Sequence, residues 1–193
     1  RNYFIHPFNQ PPSFNKVYLN LIKNFIDKLN QQNQKEILNR FHFNFGYGEE
    51  ELFKRDLKHI KISSRNESSH LYDLLFKSKL VIVTTNHTSF LQTFMINHPT
   101  VLLWPKEFNS IKPEFDHYYK ELENAGILYF NSEDCAAKVN SISNDPIKWW
   151  STEKVQKAKN HFCENFSSNG NKIVSEVSGI TVLLRIIRGL FFG

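Results

Sequence analysis

The run Thr85-Asn86-His87-Thr88-Ser89, with Gln92 three residues on, places hydrogen-bonding side chains between two apolar segments. It separates a buried-strand pattern, Leu80–Thr84, from a short helix read over Phe90–Ile96. The first backbone N–H groups of a helix have no partner inside it and carry the positive end of its dipole, so such a turn can hold an anion such as phosphate. Hydroxyls at Thr88 or Ser89 can equally do no more than cap the helix, which is their commoner use. Gln92 lies one turn beyond Ser89, near the same helix end. Its amide could bond sugar or ribose hydroxyls, or simply face solvent. His87 could meet phosphate or an acceptor, although a turn histidine is more often merely exposed.

Other chemistries lack their residues. The sequence has no Gly-x-Gly-x-x-Gly, no phosphate loop of the Walker type, no metal-ligand spacing and no serine elbow, which disfavours dehydrogenase, nucleotidase, zinc-enzyme and esterase readings. Cys135 and Cys163 read as reduced core residues of a cytosolic protein. Neither a metal nor a cofactor is expected.

The elements around the turn alternate. Pro99 leads into a second apolar run, Val101–Trp104, and both runs are continuous, as in parallel strands covered on two faces. Ahead of them, Phe14–Asn30 reads as a helix capped by Ser13, with Tyr18, Leu21, Ile22, Phe25 and Leu29 on one face. The polar run Asn30–Gln34 ends it. Glu36–Asn44, carrying Arg40 and His42, is a strand candidate broken by Phe45-Gly46-Tyr47-Gly48. Ile60–Ile62 is a short strand, and Ser68 or Ser69 caps a helix through Phe76. Downstream come a helix over Glu114–Asn124 closed by Ala125-Gly126, a strand over Ile127–Phe130, and a helix capped by Ser132. Trp149 and Trp150 read as buried anchors, and Ser151 or Thr152 starts a helix running to Phe166. The pattern predicts an α/β fold, a Rossmann-like parallel sheet with flanking helices. In such sheets ligands sit at the carboxyl ends of the strands, where the polar turn falls.

The chain divides into a Pro-rich lead-in, 1–13, a domain over 14–171 and a hydrophobic segment, 172–193. That last segment reads as a terminal helix packed on the domain or, because Arg185 and Arg188 stand among its apolar residues, as an interfacial membrane helix. No apolar run is long enough to span a bilayer. Its 193 residues, 40% hydrophobic, suffice for one sizeable core. A net charge of +5 without a Lys/Arg block points to a phosphorylated small molecule or an anionic membrane face rather than nucleic acid. The first residue is Arg, not Met, which reads as a piece of a longer chain.

From about Tyr18 to Phe166 the sequence resembles the C-terminal half of a bacterial transferase family in surface-polysaccharide biosynthesis. That family is related to glycosyltransferases of the two-Rossmann-domain (GT-B) type. The stretches that carry the resemblance are LVIVTTNHTSFLQTFMINHPTVLLW (Leu80–Trp104), YYKELENAGILYF (Tyr118–Phe130), SEDCAAKV (Ser132–Val139), and the tryptophan pair with VQKAKNHFCENF. It implies that 14–171 binds a nucleotide-sugar donor as substrate and that the turn Asn86–Ser89 meets the diphosphate. Arg40 matches a basic position that neutralises it, with His42 and Arg55 weaker candidates. Gln92 stands where the family commonly has an acidic residue gripping a hydroxyl-bearing ring. The acceptor, a polysaccharide or lipid-linked glycan, and usually the catalytic base would come from an N-terminal domain absent here, so no catalytic residue is assigned. The implied location is cytoplasmic, peripheral at the inner face of the membrane if 172–193 is interfacial. The competing reading is a non-catalytic binding or assembly module that docks a partner or membrane through that segment.

Overall fold

The fold is that of a computed structural model, which describes residues 12–40, 49–58, 60–63, 71–86, 88–108 and 111–167. In chain order the elements are α1 (Pro12–Lys28), α2 (Gln31–Glu36), β1 (Leu38–Arg40), α3 (Glu49–Asp56), β2 (Lys61–Ser63), α4 (Leu71–Lys77) and β3 (Val81–Val83). They continue with α5 (Thr88–Met95), β4 (Thr100–Leu103), α6 (Asp116–Asn124), β5 (Leu128–Tyr129), α7 (Ser132–Ile142), α8 (Pro146–Trp150) and α9 (Glu153–Phe166). All pairings are parallel: β1 with β2 in one sheet, and β3-β4-β5 in order in the other. This is the Rossmann-like α/β arrangement of short parallel sheets flanked by helices.

Strand β4 shows why the apolar runs are continuous. Val101 and Leu103 point into a core built with α1, α3 and α7, while Leu102 and Trp104 point into another built with α5, α6 and α9. All four are fully buried. With helices on both faces there is no polar side to alternate with, and each such residue contributes about 1.5–3 kcal/mol by leaving water.

Helices α5 and α6 end alike. After α5, Asn97 adopts φ +54, its N–H bonds Phe94 O at 3.0 Å, and His98 N–H reaches back to Thr93 O at 2.9 Å. After α6, Gly126 adopts φ +72, and Ile127 N–H bonds Leu122 O at 2.9 Å. The left-handed residue turns the chain from helix into strand while satisfying the last carbonyls, and asparagine follows glycine in tolerating that conformation. Gly126 closes its helix as the sequence predicts.

Several local expectations shift. Helix α1 begins at Pro12, a favoured first-turn residue, so Ser13 lies inside the helix rather than capping it. The polar run after α1 is itself helical: Asn30 caps α2 by accepting from Asn33 N–H, and the strand that follows starts at Leu38, not Glu36. Asn131 rather than Ser132 caps α7, its side chain accepting from Asp134 N–H. Ser132 is buried, and its hydroxyl donates to Leu21 O at 2.9 Å. Thr152 precedes α9 but makes no capping bond; its hydroxyl donates to Trp149 O. Asp145 caps α8 by accepting from Lys148 N–H, and Pro146 opens it.

Asn140 on α7 finishes α1. Its amide donates to Lys28 O at 3.1 Å, and its carbonyl accepts from Asn30 N–H and the Asn33 amide, each at 2.9 Å. Gln34 donates to Ile26 O and Leu29 O, covering further carbonyls of that helix end. Trp150 is buried as expected and Trp149 is half-buried. Both cysteines are free, Cys135 buried and Cys163 half-buried. Segments 1–11, 41–48 (with His42 and the two-glycine loop), 64–70 (with Ser68 and Ser69) and 172–193 lie outside the described residues. Among the described residues no helix is long and apolar enough to cross a membrane.

Candidate functional site

The polar turn lies at the carboxyl end of β3, opposite the end of β4, where parallel sheets place their ligands. Helix α5 opens at Thr88, so Thr88 and Ser89 are its first two residues rather than caps standing ahead of it. In that position their N–H groups belong to the helix start that the dipole makes attractive to anions. Helix α5 keeps its place through Phe90, Thr93 and Phe94, all buried. The Thr93 hydroxyl donates back to Phe90 O at 2.8 Å, so a polar residue sits in the core with its hydrogen bond satisfied.

Tyrosines from α1 and α6 flank the turn, and the first of them bonds the chain just past β3. The Tyr18 hydroxyl of α1 is 2.7 Å from the Thr84 hydroxyl just past β3. Burial raises the Tyr18 phenol above its ordinary pKa, and the bond to Thr84 offsets this in part. From α6, burial raises the Tyr119 phenol above its ordinary pKa, and the nearby Asn86 side chain offsets this in part. Both phenols therefore stay protonated at neutral pH. The Tyr119 ring stands edge-on to Trp104 at 6.0 Å and to Phe162 at 5.1 Å. Trp104 is also edge-on to Phe90 at 5.3 Å, which places a fully buried indole beneath the first turn of α5. Its N–H has no hydrogen-bond acceptor among the described residues.

The structure joins some expected residues and separates others. Asn86, Thr88, Ser89 and Gln92 lie along one turn-and-helix unit. Asn86 is exposed, while Ser89 and Gln92 are half-buried, so Gln92 is not the fully exposed helix residue of the simpler reading. Arg40 ends β1 in the other sheet, in register with Ser63, and is half-buried. Arg55 is exposed on α3 and bonded to its neighbour Asp56 at 2.8 Å, the pair raising the arginine and lowering the aspartate pKa. His87 and His42 lie outside the described residues. No group of three or more metal-ligating side chains occurs among the described residues.

Sequence reasoning missed Tyr18 and Tyr119 as site residues. Both sit at apolar positions of amphipathic helices, so periodicity assigns their rings to the core and is silent about the hydroxyl at the far end.

Parallel strands between helices, with a polar turn and a helix start at the carboxyl end of β3, make an α/β domain of the Rossmann-like kind. The chain belongs to the LIC12162 family transferases, which it matches over residues 2–178. No curated protein and no solved structure matches it.

Proposed function

We propose that this transferase is of the GT-B glycosyltransferase type, and that the region around β3, β4 and α5 is its nucleotide-sugar donor site. The observation that carries the reading is the pairing of the turn after β3 with a helix start at Thr88. The backbone N–H groups of Thr88 and Ser89 then offer a place for the donor diphosphate. Asn86 borders that place, and His87 is assigned to it by position in the sequence. Arg40 supplies positive charge to the leaving diphosphate, and Gln92 bonds a hydroxyl-bearing ring. Holding the leaving diphosphate in fixed donors is the electrostatic part of catalysis. The product belongs to a cell-surface polysaccharide made at the cytoplasmic face, with a polysaccharide or lipid-linked glycan as acceptor. Segment 172–193 provides any peripheral membrane contact.

Calorimetric titration with a panel of nucleoside diphosphates tests the reading. The chain is expected to bind at least one of them, and Arg40→Ala to weaken binding by about 1.5–3 kcal/mol, the range for a hydrogen bond to a charged group. A folded chain that binds none at millimolar concentration overturns the donor assignment.

A further inference from the structure

Away from the turn, hydrogen-bond donors gather where α6 passes into β5. Gly126 makes that passage at φ +72 and turns a bare face to two side chains. A Cβ there would stand 3.1 Å from the Tyr129 hydroxyl and 3.7 Å from Lys138 Nζ, so the phenol and the ammonium border one small space. Tyr129 reaches it from β5 and Lys138 from α7. The ammonium also stands 4.8 Å from the centre of the Trp149 ring, which belongs to α8.

These groups are donors without acceptors. Burial pushes the Tyr129 phenol up to about 12, and the nearby Cys135 and Asp134 add to the shift, so the hydroxyl keeps its proton. That hydroxyl makes no hydrogen bond among the described residues. The Trp149 indole N–H is buried, likewise without an acceptor among them. Asp134 stands one turn before Lys138, well placed for an i,i+4 pair, yet it accepts from Asn131 Nδ2 at 2.7 Å. Lys138 approaches another cation: burial lowers its pKa, and the charge of Lys154 lowers it further. Neither lysine forms an ion pair among the described residues. The Trp149 ring face serves one side of an ammonium that carries three donors.

We propose that the space beside Gly126, between Tyr129 and Lys138 and with Lys154 close by, binds a phosphate group, free or as a phosphomonoester. A tetrahedral oxyanion has acceptors enough for the phenol and both ammonium groups. Its charge strengthens those bonds and offsets the repulsion between the lysines. The carboxylates in the neighbourhood have other company. Asp134 is held by Asn131, Glu123 lies near the charge of Lys120, and Glu153 occupies the first turn of α9, where the helix dipole favours it. The site is separate from the donor turn: Gly126 precedes β5, whereas the turn follows β3, and the strands run parallel.

Inorganic phosphate titrated into the labelled full chain at constant ionic strength, followed by NMR, tests this. Saturation in the millimolar range or tighter is expected, with shifts at the Gly126 amide and the Trp149 indole N–H. Lys138→Met should weaken binding about tenfold or more, as the loss of a hydrogen bond to a charged group does. Lys154→Met, at an exposed position, should weaken it about twofold or more with the melting temperature unchanged. It carries the test if the Lys138 variant does not fold. Lys112→Met removes an exposed lysine near the other end of α6 and should leave binding unaltered. Glycerol phosphate, titrated in the same way, identifies the source: tighter binding than inorganic phosphate marks a phosphorylated metabolite, and weaker binding marks the free ion. The inference is overturned if phosphate does not saturate, if the shifts fall only on Thr88 and Ser89, or if Lys112→Met costs as much as Lys154→Met. Arg40→Ala, which should weaken nucleotide binding, should leave this site intact, so its failure and that of the donor reading are told apart.

Discussion

Asn97→Gly removes a part-buried side-chain acceptor that serves two donors. Three contacts converge on Asn97: the Trp150 indole N–H donates to its backbone O at 3.1 Å and to Oδ1 at 3.0 Å, and Lys159 Nζ donates to Oδ1 at 3.1 Å. Glycine accepts φ +54 without strain, and the indole keeps the backbone carbonyl. What is lost is the acceptor for Lys159, a lysine only 7% exposed. Hydrogen bonds to charged groups are worth about 1.5–3 kcal/mol, so urea denaturation should show a loss of that size. Melting should fall by about 3–12 °C at ~2–4 °C per kcal/mol for a chain of this length. In a Lys159→Met background the same substitution should cost less than about 0.5 kcal/mol, because no charge is left stranded. The pH dependence has a definite sign. Burial lowers the Lys159 pKa, while the nearby Cys163 raises it in part. Between that lowered value and the ordinary lysine pKa the unfolded chain binds more protons than the folded one. Stability from this group therefore rises with pH through that window and levels off above it. Lys159→Met should remove the rise. Equal costs of Asn97→Gly in both backgrounds would refute the reasoning.

Gly126→Ala should destabilise by about 1–2 kcal/mol, the penalty for a Cβ in the left-handed region; a Cβ there would also stand 3.1 Å from the Tyr129 hydroxyl. Thermal melting of the variant checks this, and an unchanged midpoint would contradict it. Gln92→Glu should tighten nucleotide-sugar binding by about 1 kcal/mol, because a carboxylate makes the stronger hydrogen bond while the diphosphate repels it in part. Gln92→Leu should loosen binding by a similar amount, and calorimetry showing both variants unchanged would remove Gln92 from the site.

The central strands and the helices around them were legible because their signals are local. β4 is an unbroken apolar run, α9 repeats Val155, Ala158 and Phe162 at helical spacing, and Gly126 marks a helix end. What escaped depends on partners distant in sequence. Asn97 looks like any loop asparagine until Trp150 and Lys159 are seen to converge on it. Ser132 resembles a cap, but Leu21 lies across the core waiting for its hydroxyl, and Asn131 takes the capping role. Lys159 did leave a trace, since it follows Val155 by four residues and precedes Phe162 by three, on the buried side of α9. The polar turn was found from residue types alone. The Tyr18 hydroxyl that bonds Thr84 beside it was not, because a phenol on an apolar helix face declares its ring and conceals its hydroxyl.

The bonds from α7 to α1 also set an order in time. Leu21 O and Lys28 O await Ser132 and Asn140, each more than a hundred residues later in the chain. At ~5–20 residues per second, a growing chain exposes the end of α1 for on the order of ten seconds before its partner residues are made. During that interval the apolar face of Ile22, Phe25, Ile26 and Leu29 has no α7 to cover it. A nascent chain arrested before residue 132 therefore presents a greasy helix to chaperones and proteases, and one released after residue 140 can withdraw it.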